Sequence, residues 1–255
     1  MTEIVSSTVN TSYNMLLVLL SFVIAFVGSF VALGAATHIR DAQGRLRMGN
    51  VLSAGLALGG VGVWTMHFIG MQGLSMDVGR SYAAVETLSS LVAAILATAA
   101  AFAYAARDPR NLGQLLTAGV GLGLAVVLMH YLGMFGLKIY GYIAWDYIVV
   151  GISILIAVVA ATAALWLAFN VQGLAFRLVS ALIMALAVCA MHYTGMSAAE
   201  FICTTDNRNA IPQGFGYLSS MMLPSLVLVV ATMLTVLISI DQILQRAHLQ
   251  SAQRR

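Results

Sequence analysis

The sequence predicts an all-α membrane protein: seven transmembrane helices, arranged as three parallel two-helix repeats around a pseudo-threefold axis plus a seventh helix. Two observations predict it. Hydrophobic residues make up 61% of the chain and charged residues 8%, with a mean hydropathy of +0.95, whereas soluble domains carry about 25% charged residues. The strings T-M-H-F-I-G-M around His67, L-M-H-Y-L-G-M around His130 and A-M-H-Y-T-G-M around His192 also recur at intervals of 63 and 62 residues, the signature of one unit copied three times.

Seven apolar runs reach the roughly 20 residues that a bilayer crossing needs, at 13–37, 48–71, 81–106, 112–134, 147–169, 175–196 and 216–240. The seven-span unit is expected over 1–241, with repeats at 13–71, 81–134 and 147–196, a seventh span at 216–240 and a cytoplasmic tail at 242–255. The first run follows no basic segment and is too long for a signal peptide, so it reads as a retained span. Short connections leave no space for a separate soluble domain, and only the loop 197–215 is long enough for its own shape. Pro224 falls inside the expected seventh span and marks a candidate kink. The segment after Asp241 reads as a helical, amphipathic tail that couples to an output domain, a partner or the lipid surface.

Charge sets the orientation. Arg40, Arg45, Arg47, Arg107, Arg110, Arg177, Arg246, Arg254 and Arg255 collect on one side, and Arg80, Lys138 and Arg208 on the other. The richer side is the cytoplasmic one, which puts the N-terminus outside and the C-terminus inside a bacterial cytoplasmic membrane. The net charge of +3 is an inner fringe facing anionic lipid rather than a nucleic-acid footprint.

The repeats place the three histidines at equal depth near the outer ends of spans two, four and six. Ionisable side chains at such depth are functional candidates, and three imidazoles meeting without a cation leave unpaired polar groups in a dry place. Met71, Met134 and Met196 follow their histidines by four residues, one turn outward on the same helix face. Met66, Met129 and Met191 sit about 100° round and read as packing. The positions seven before each histidine are Gly60, Gly123 and Ala185, and four before, Val63, Val126 and Val188. On a regular helix all share the histidine face, so spans two, four and six are expected inside, with one, three and five around them. His67, His130 and His192, with Met71, Met134 and Met196, are therefore the candidate metal ligands. Imidazole suits zinc, copper, nickel or iron, and thioether sulfur tips the choice to copper. Cys189, one turn deeper than His192, reads as packing, and Glu86, Asp146 and Glu200 as helix-end caps rather than partners of the imidazoles. Three equivalent ligands at one depth suit haem poorly.

The strings M-H-F-I at 66–69, M-H-Y-L at 129–132 and M-H-Y-T at 191–194 resemble those of the MHYT-domain family of bacterial integral membrane sensors, over essentially the whole chain. The resemblance implies copper bound through these histidines and methionines and detection of oxygen, carbon monoxide or nitric oxide. It also implies a cytoplasmic signalling partner in the cyclic di-GMP pathway, because many members continue into domains that make and break that nucleotide. No such output motif occurs in this sequence, so the chain is not read as an enzyme. The alternative is a copper-handling protein, either an oxidase-like enzyme or a conduit; a conduit needs further polar or sulfur steps along the axis, and below the histidines the sequence offers glycine, alanine and valine. Reporter fusions at Arg45, at Arg107 and after Asp241 should all report the cytoplasm; a reporter after Asp241 that reads outside would invert the assignment.

Overall fold

The structure, a computed structural model, describes residues 6–170 and 173–253. Residues 1–5, the start of the expected 1–241 unit, lie outside the described residues, as do Arg254 and Arg255 of the tail.

Among the described residues, seven helices are long and apolar enough to cross a bilayer. They are α1 (Met15–Ala36), α2 (Met48–Gly73), α3 (Ala84–Ala105), α4 (Leu112–Gly136), α5 (Tyr147–Asn170), α6 (Leu174–Ser197) and α7 (Leu223–Gln253). The first six touch in chain order and α6 returns to α1, so they form a closed ring. Helix α7 lies outside that ring, against α2. The expected inner triangle is therefore only partly realised. In α2, 83% of the most apolar window is buried, against 39% in α4 and 33% in α6, values close to the 28–33% of α1, α3 and α5. Helices α4 and α6 keep an outward face because no counterpart of α7 covers them.

Strands close the end of the bundle that carries the histidines. Each repeat has a strand before its first helix and another after its second, and the two pair antiparallel: β2 (Thr11–Tyr13) with β3 (Leu74–Met76), β4 (Ser81–Ala83) with β5 (Leu137–Lys138), and β6 (Gly141–Trp145) with β7 (Ala199–Cys203). Strand β1 (Ser7–Thr8) adds to β7, and β8 (Tyr217–Ser219) adds to β4. Shape is thus shared by all the loops at this end, not confined to 197–215; runs of two to five residues are too short for a period of two to stand out beside the spans. Arg208 fastens the long loop by donating to Ser7 Oγ at 2.6 Å and to Asp77 Oδ1 at 2.9 Å. That hydrogen bond holds the Asp77 carboxyl below its ordinary range.

Two expectations about helix geometry change. Helix α7 begins at Leu223, after β8, so Pro224 sits in the first turn of the span and not well inside it. There its missing N–H is one the helix leaves unbonded anyway, and it produces no kink. Residues Gly55–Thr65 of α2 are wound as a π-helix, which moves Gly60 off the histidine face. A Cβ on Gly60 would meet Leu234 of α7, and one on Gly123 would meet the backbone of Val158 in α5. These glycines admit the flanking helices rather than the axis; Gly59 does the same, approaching Ala94 of α3 so closely that no side chain fits between.

A buried serine takes part in a polar contact at each repeat boundary, and at the first Trp64 Nε1 also donates to Thr87 O at 2.9 Å. Ser21, Ser90 and Ser153, on α1, α3 and α5, are fully buried, and each hydroxyl donates to the carbonyl three residues earlier at 2.7 Å. Each serine oxygen then accepts from an aromatic donor on the preceding repeat: Tyr193 Oη at 2.9 Å, Trp64 Nε1 at 3.1 Å and Tyr131 Oη at 2.8 Å. Trp64 supplies the donor in the first repeat because the residue after His67 is Phe68, which has none. Tyr193→Phe removes the bond that joins α6 to α1 while keeping the ring packed; a hydrogen bond between membrane helices averages about 0.6 kcal/mol, so a lowered melting temperature with an unchanged fold is the expected readout in detergent.

Candidate metal centre

Each motif sits on the last two turns of α2, α4 or α6, before the strand that ends its repeat. The small residues of these helices let the ring close tightly enough for the three imidazoles to meet. His67, His130 and His192 are at most 1% exposed, and their ring centroids are 4.9–5.1 Å apart with planes near perpendicular. The Nδ1 atoms form a nearly equilateral triangle of 3.1, 3.2 and 3.2 Å. Among the described residues this is the one group of His, Cys, Asp or Glu side chains arranged to hold a metal ion.

A ring nitrogen offers one in-plane proton or one in-plane lone pair. Three protons pointed at one spot collide and three lone pairs repel, whereas a single cation satisfies three lone pairs at once. A point at the centre of the triangle lies about 1.8 Å from each nitrogen, by dividing the mean edge by √3, and a small rise out of the plane brings this to the 2.0–2.1 Å usual for imidazole nitrogen on a first-row metal such as zinc. The donor set and its spacing fit a metal ion of that kind.

With Nδ1 turned inward, Nε2 points away from the centre, and all three Nε2 atoms are buried without a hydrogen-bond partner among the described residues. Each lies against the glycine of another copy of the motif. A Cβ on Gly133 would stand 2.5 Å from His67 Nε2, one on Gly195 the same from His130 Nε2, and one on Gly70 the same from His192 Nε2. The glycine three residues after each histidine therefore makes room for a histidine of a different repeat. The aromatic residue after each histidine rests on its own imidazole, at 4.7–4.8 Å. It extends to a further ring on the strand side: Tyr82 for Phe68, Trp145 for Tyr131 and Tyr13 for Tyr193. Burial pushes the Tyr82 phenol up to about 12. Gly70, Gly133 and Gly195 are the small residues that the spacing of three puts on the histidine face, and the structure adds the aromatic residues and the three serines to the site; the signal for the serines in the sequence was their recurrence at 69 and 63 residues inside apolar spans.

Met71, Met134 and Met196 are buried to 3% exposure or less, and so are Met66, Met129 and Met191, so burial does not separate the two sets. Met66 packs with Ala25, Ala185 and Cys189, which places Cys189 in a packing cluster outside the three-histidine group. The carboxylates are engaged elsewhere: Glu86 pairs with Lys138 at 3.1 Å, Asp146 accepts from the first amides of α5, and Glu200 lies exposed on β7. One turn below the histidines, Val63, Val126 and Val188 line a cavity of about 30 Å³ together with Leu122, Met184 and Met191. Its lining is wholly apolar, and such cavities stay dry.

Gly133→Ala should push the His67 ring out of the triangle, lower metal retention and cost about 1–3 kcal/mol by overpacking. Gly121→Ala, on the same helix where no atom lies within 4 Å of the added carbon, should leave metal content unchanged; both are read by metal analysis and thermal melting.

No solved structure matches the chain. Among curated proteins, it is 36% identical over 196 residues to the bifunctional diguanylate cyclase/cyclic di-GMP phosphodiesterase MucR of Pseudomonas aeruginosa, covering 75% of this chain and 28% of MucR. It is 28% identical over 200 residues to the signaling protein YkoW of Bacillus subtilis, covering 76% of this chain and 25% of YkoW, and 29% identical over 195 residues to the cyclic di-GMP phosphodiesterase NbdA of P. aeruginosa, covering 74% and 25%. The chain therefore spans about a quarter of the length of the curated relatives it matches. The profile of the MHYT family, described as a bacterial signalling protein N-terminal repeat, matches residues 5–49, 60–118, 123–181 and 186–251, and with a motif histidine in each of the last three segments this chain belongs to the MHYT family of bacterial signalling membrane proteins.

Proposed function

We propose that this chain is the sensor unit of a bacterial cytoplasmic-membrane signalling system, in which His67, His130 and His192, assisted by Met71, Met134 and Met196, hold a copper ion and detect a diatomic gas (oxygen, carbon monoxide or nitric oxide) or a redox state. The observation that carries this reading is the triangle of Nδ1 atoms, whose members have only one another as partners among the described residues and whose three lone pairs one cation would satisfy at once. Neutral imidazole and buried thioether sulfur, with carboxylates tied up elsewhere, favour copper over a hard cation. Copper bound there supplies affinity for small diatomic ligands and a one-electron couple. The apolar cavity below the ring is about the size of one small molecule and suits an uncharged gas.

The chain's own residues would pass the signal on. Helix α2 is the histidine-bearing span that touches α7. It meets α7 at Gly60 beside Leu234 and at Ser53, whose hydroxyl donates to Asp241 Oδ2 at 2.5 Å. A shift of His67 travels along the π-wound segment between those contacts, and π-segments of this kind are frequent at functional sites. A ligand drives such a shift only by binding two arrangements of the ring differently. With the histidine end outside and the arginine end in the cytoplasm, α7 delivers the movement to residues 242–255 and to a partner in the cyclic di-GMP pathway, the pathway in which MucR and NbdA act. The unit acts as a sensor and not as an enzyme.

Purified protein should contain one copper per chain by mass spectrometry, and His67→Ala, His130→Ala or His192→Ala should each lose most of it while still inserting in the membrane. Leucine at Met71, Met134 and Met196 should weaken Cu(I) retention, with little effect at Met66, Met129 and Met191. Carbon monoxide should change the optical spectrum of the reduced protein and the mobility of a spin label on Leu244→Cys, and the His130→Ala variant should show neither response. Zinc in place of copper, or full copper in two of the histidine variants, sinks the proposal; a gas signal with an unmoved label favours copper handling instead.

A further inference from the structure

We propose that the arginine end of the bundle carries a binding site for an anionic phosphate ester, built by Arg40 and Arg177 where α1 meets α6 and best matched by the headgroup of an anionic phospholipid. A cavity of about 510 Å³ lies there, lined by both arginines with Thr37 and Ser180 and by apolar residues of α1 and α5, Leu33 and Leu167 among them.

No acid is paired with the charge in this cavity among the described residues. Arg45 pairs with Asp41, Lys138 with Glu86 and Arg208 with Asp77; neither Arg40 nor Arg177 takes part in these. Arg40 spends one N–H on the carbonyl of Arg107 at 3.3 Å. The Nε of Arg177 is buried with no hydrogen-bond partner. Its guanidinium carbon stands 3.9 Å from the centroid of the Phe30 ring, and an added Cβ on Gly34 would come within 3.2 Å of Nη1. Phe30 and Gly34 therefore fix the plane of the guanidinium, and a cation–π contact uses its face. The in-plane N–H groups of Nη1 and Nη2, a pair that can grip phosphate in a bidentate manner, make no hydrogen bond among the described residues.

The other two copies do without this arginine. Counting fifteen residues before the motif histidine, the position of Arg177 is Leu115 in the second copy, and in the first copy, across the π-wound stretch, the count falls on Leu52 beside Val51. A cation placed in one copy alone answers to something present at that copy alone. The chemistry of the cavity narrows the choice: two guanidinium groups ask for an anion, and the apolar part of the lining suits acyl chains. Basic pockets between transmembrane helices at the cytoplasmic edge bind such headgroups.

The test is native mass spectrometry of the full chain, delipidated in detergent and titrated with phosphatidylglycerol, phosphatidylcholine, or glycerol phosphate as a soluble ester. One phosphatidylglycerol per chain should bind at least tenfold more tightly than phosphatidylcholine. Arg177→Met and Arg40→Gln should each weaken it at least tenfold, Arg177→Lys less, and Arg45→Gln, a residue with a 78% exposed side chain at the same end, not at all. Glycerol phosphate binding that depends on Arg177, with no preference for phosphatidylglycerol, keeps the phosphate site and makes its ligand soluble. Wild-type affinity for every ester in both Arg40→Gln and a folded Arg177→Met, verified by melting, overturns the proposal. The measurement is made with and without added copper and so stands apart from the role of the histidines.

Discussion

Everything at the motif end of this protein depends on one electrostatic constraint: three imidazole nitrogens share a spot with edges of 3.1–3.2 Å inside an apolar bundle. Solvent cannot relieve them there, so the surrounding residues either hold the rings against one another or supply what the nitrogens lack. The glycine of one copy receives the histidine of another, and the aromatic residue after each histidine braces its own imidazole. The serine on the next repeat's first helix then ties the arrangement to the wall of the ring. No repeat completes its own site, which is why the ring has to close through α6 and α1.

Much of this was legible in the sequence, because a motif that recurs three times with a histidine at equal depth admits few arrangements. Membrane class, span number and the convergence of His67, His130 and His192 all follow from composition and copying. What stayed hidden is where the copies differ. The π-wound stretch of α2 rests on a glycine-rich run, Gly55 to Gly62, that reads as ordinary helix under a period of 3.6 residues. Trp64 replaces a tyrosine hydroxyl from a different position on its helix, and no periodicity signals that exchange. Strands of two to five residues at the ends of strongly apolar spans fell below what alternation can resolve. The start of α7 was misplaced for the same reason, since β8 is apolar enough to extend the run before Pro224. The role of the methionines rests on their positions relative to the histidines and not on burial, which is equal for both sets.

The two ends of the bundle are chemically unlike. At the motif end, Lys138 pairs with Glu86 and Arg208 with Asp77; at the other end, arginines outnumber acids, and the cavity beside Arg177 is lined by two arginines and no acid among the described residues. Helix α7 joins these environments, lying on Gly60 through Leu234 and accepting a hydrogen bond from Ser53 at Asp241. It is also the longest helix, at 31 residues, and at 1.5 Å per residue its last twelve residues extend about 18 Å beyond Asp241.

The cyclic exchange of glycines has a consequence for how such a protein can change over generations. A single-repeat ancestor could have built this centre only as a homotrimer, in which any substitution alters all three arms together. Fusion into one chain releases that restriction: the first copy can acquire Phe68, Trp64 and an irregular helix while the other two preserve the geometry they share. Divergence of one arm gives a symmetric cage a direction, because α2 is the histidine-bearing helix that packs against α7.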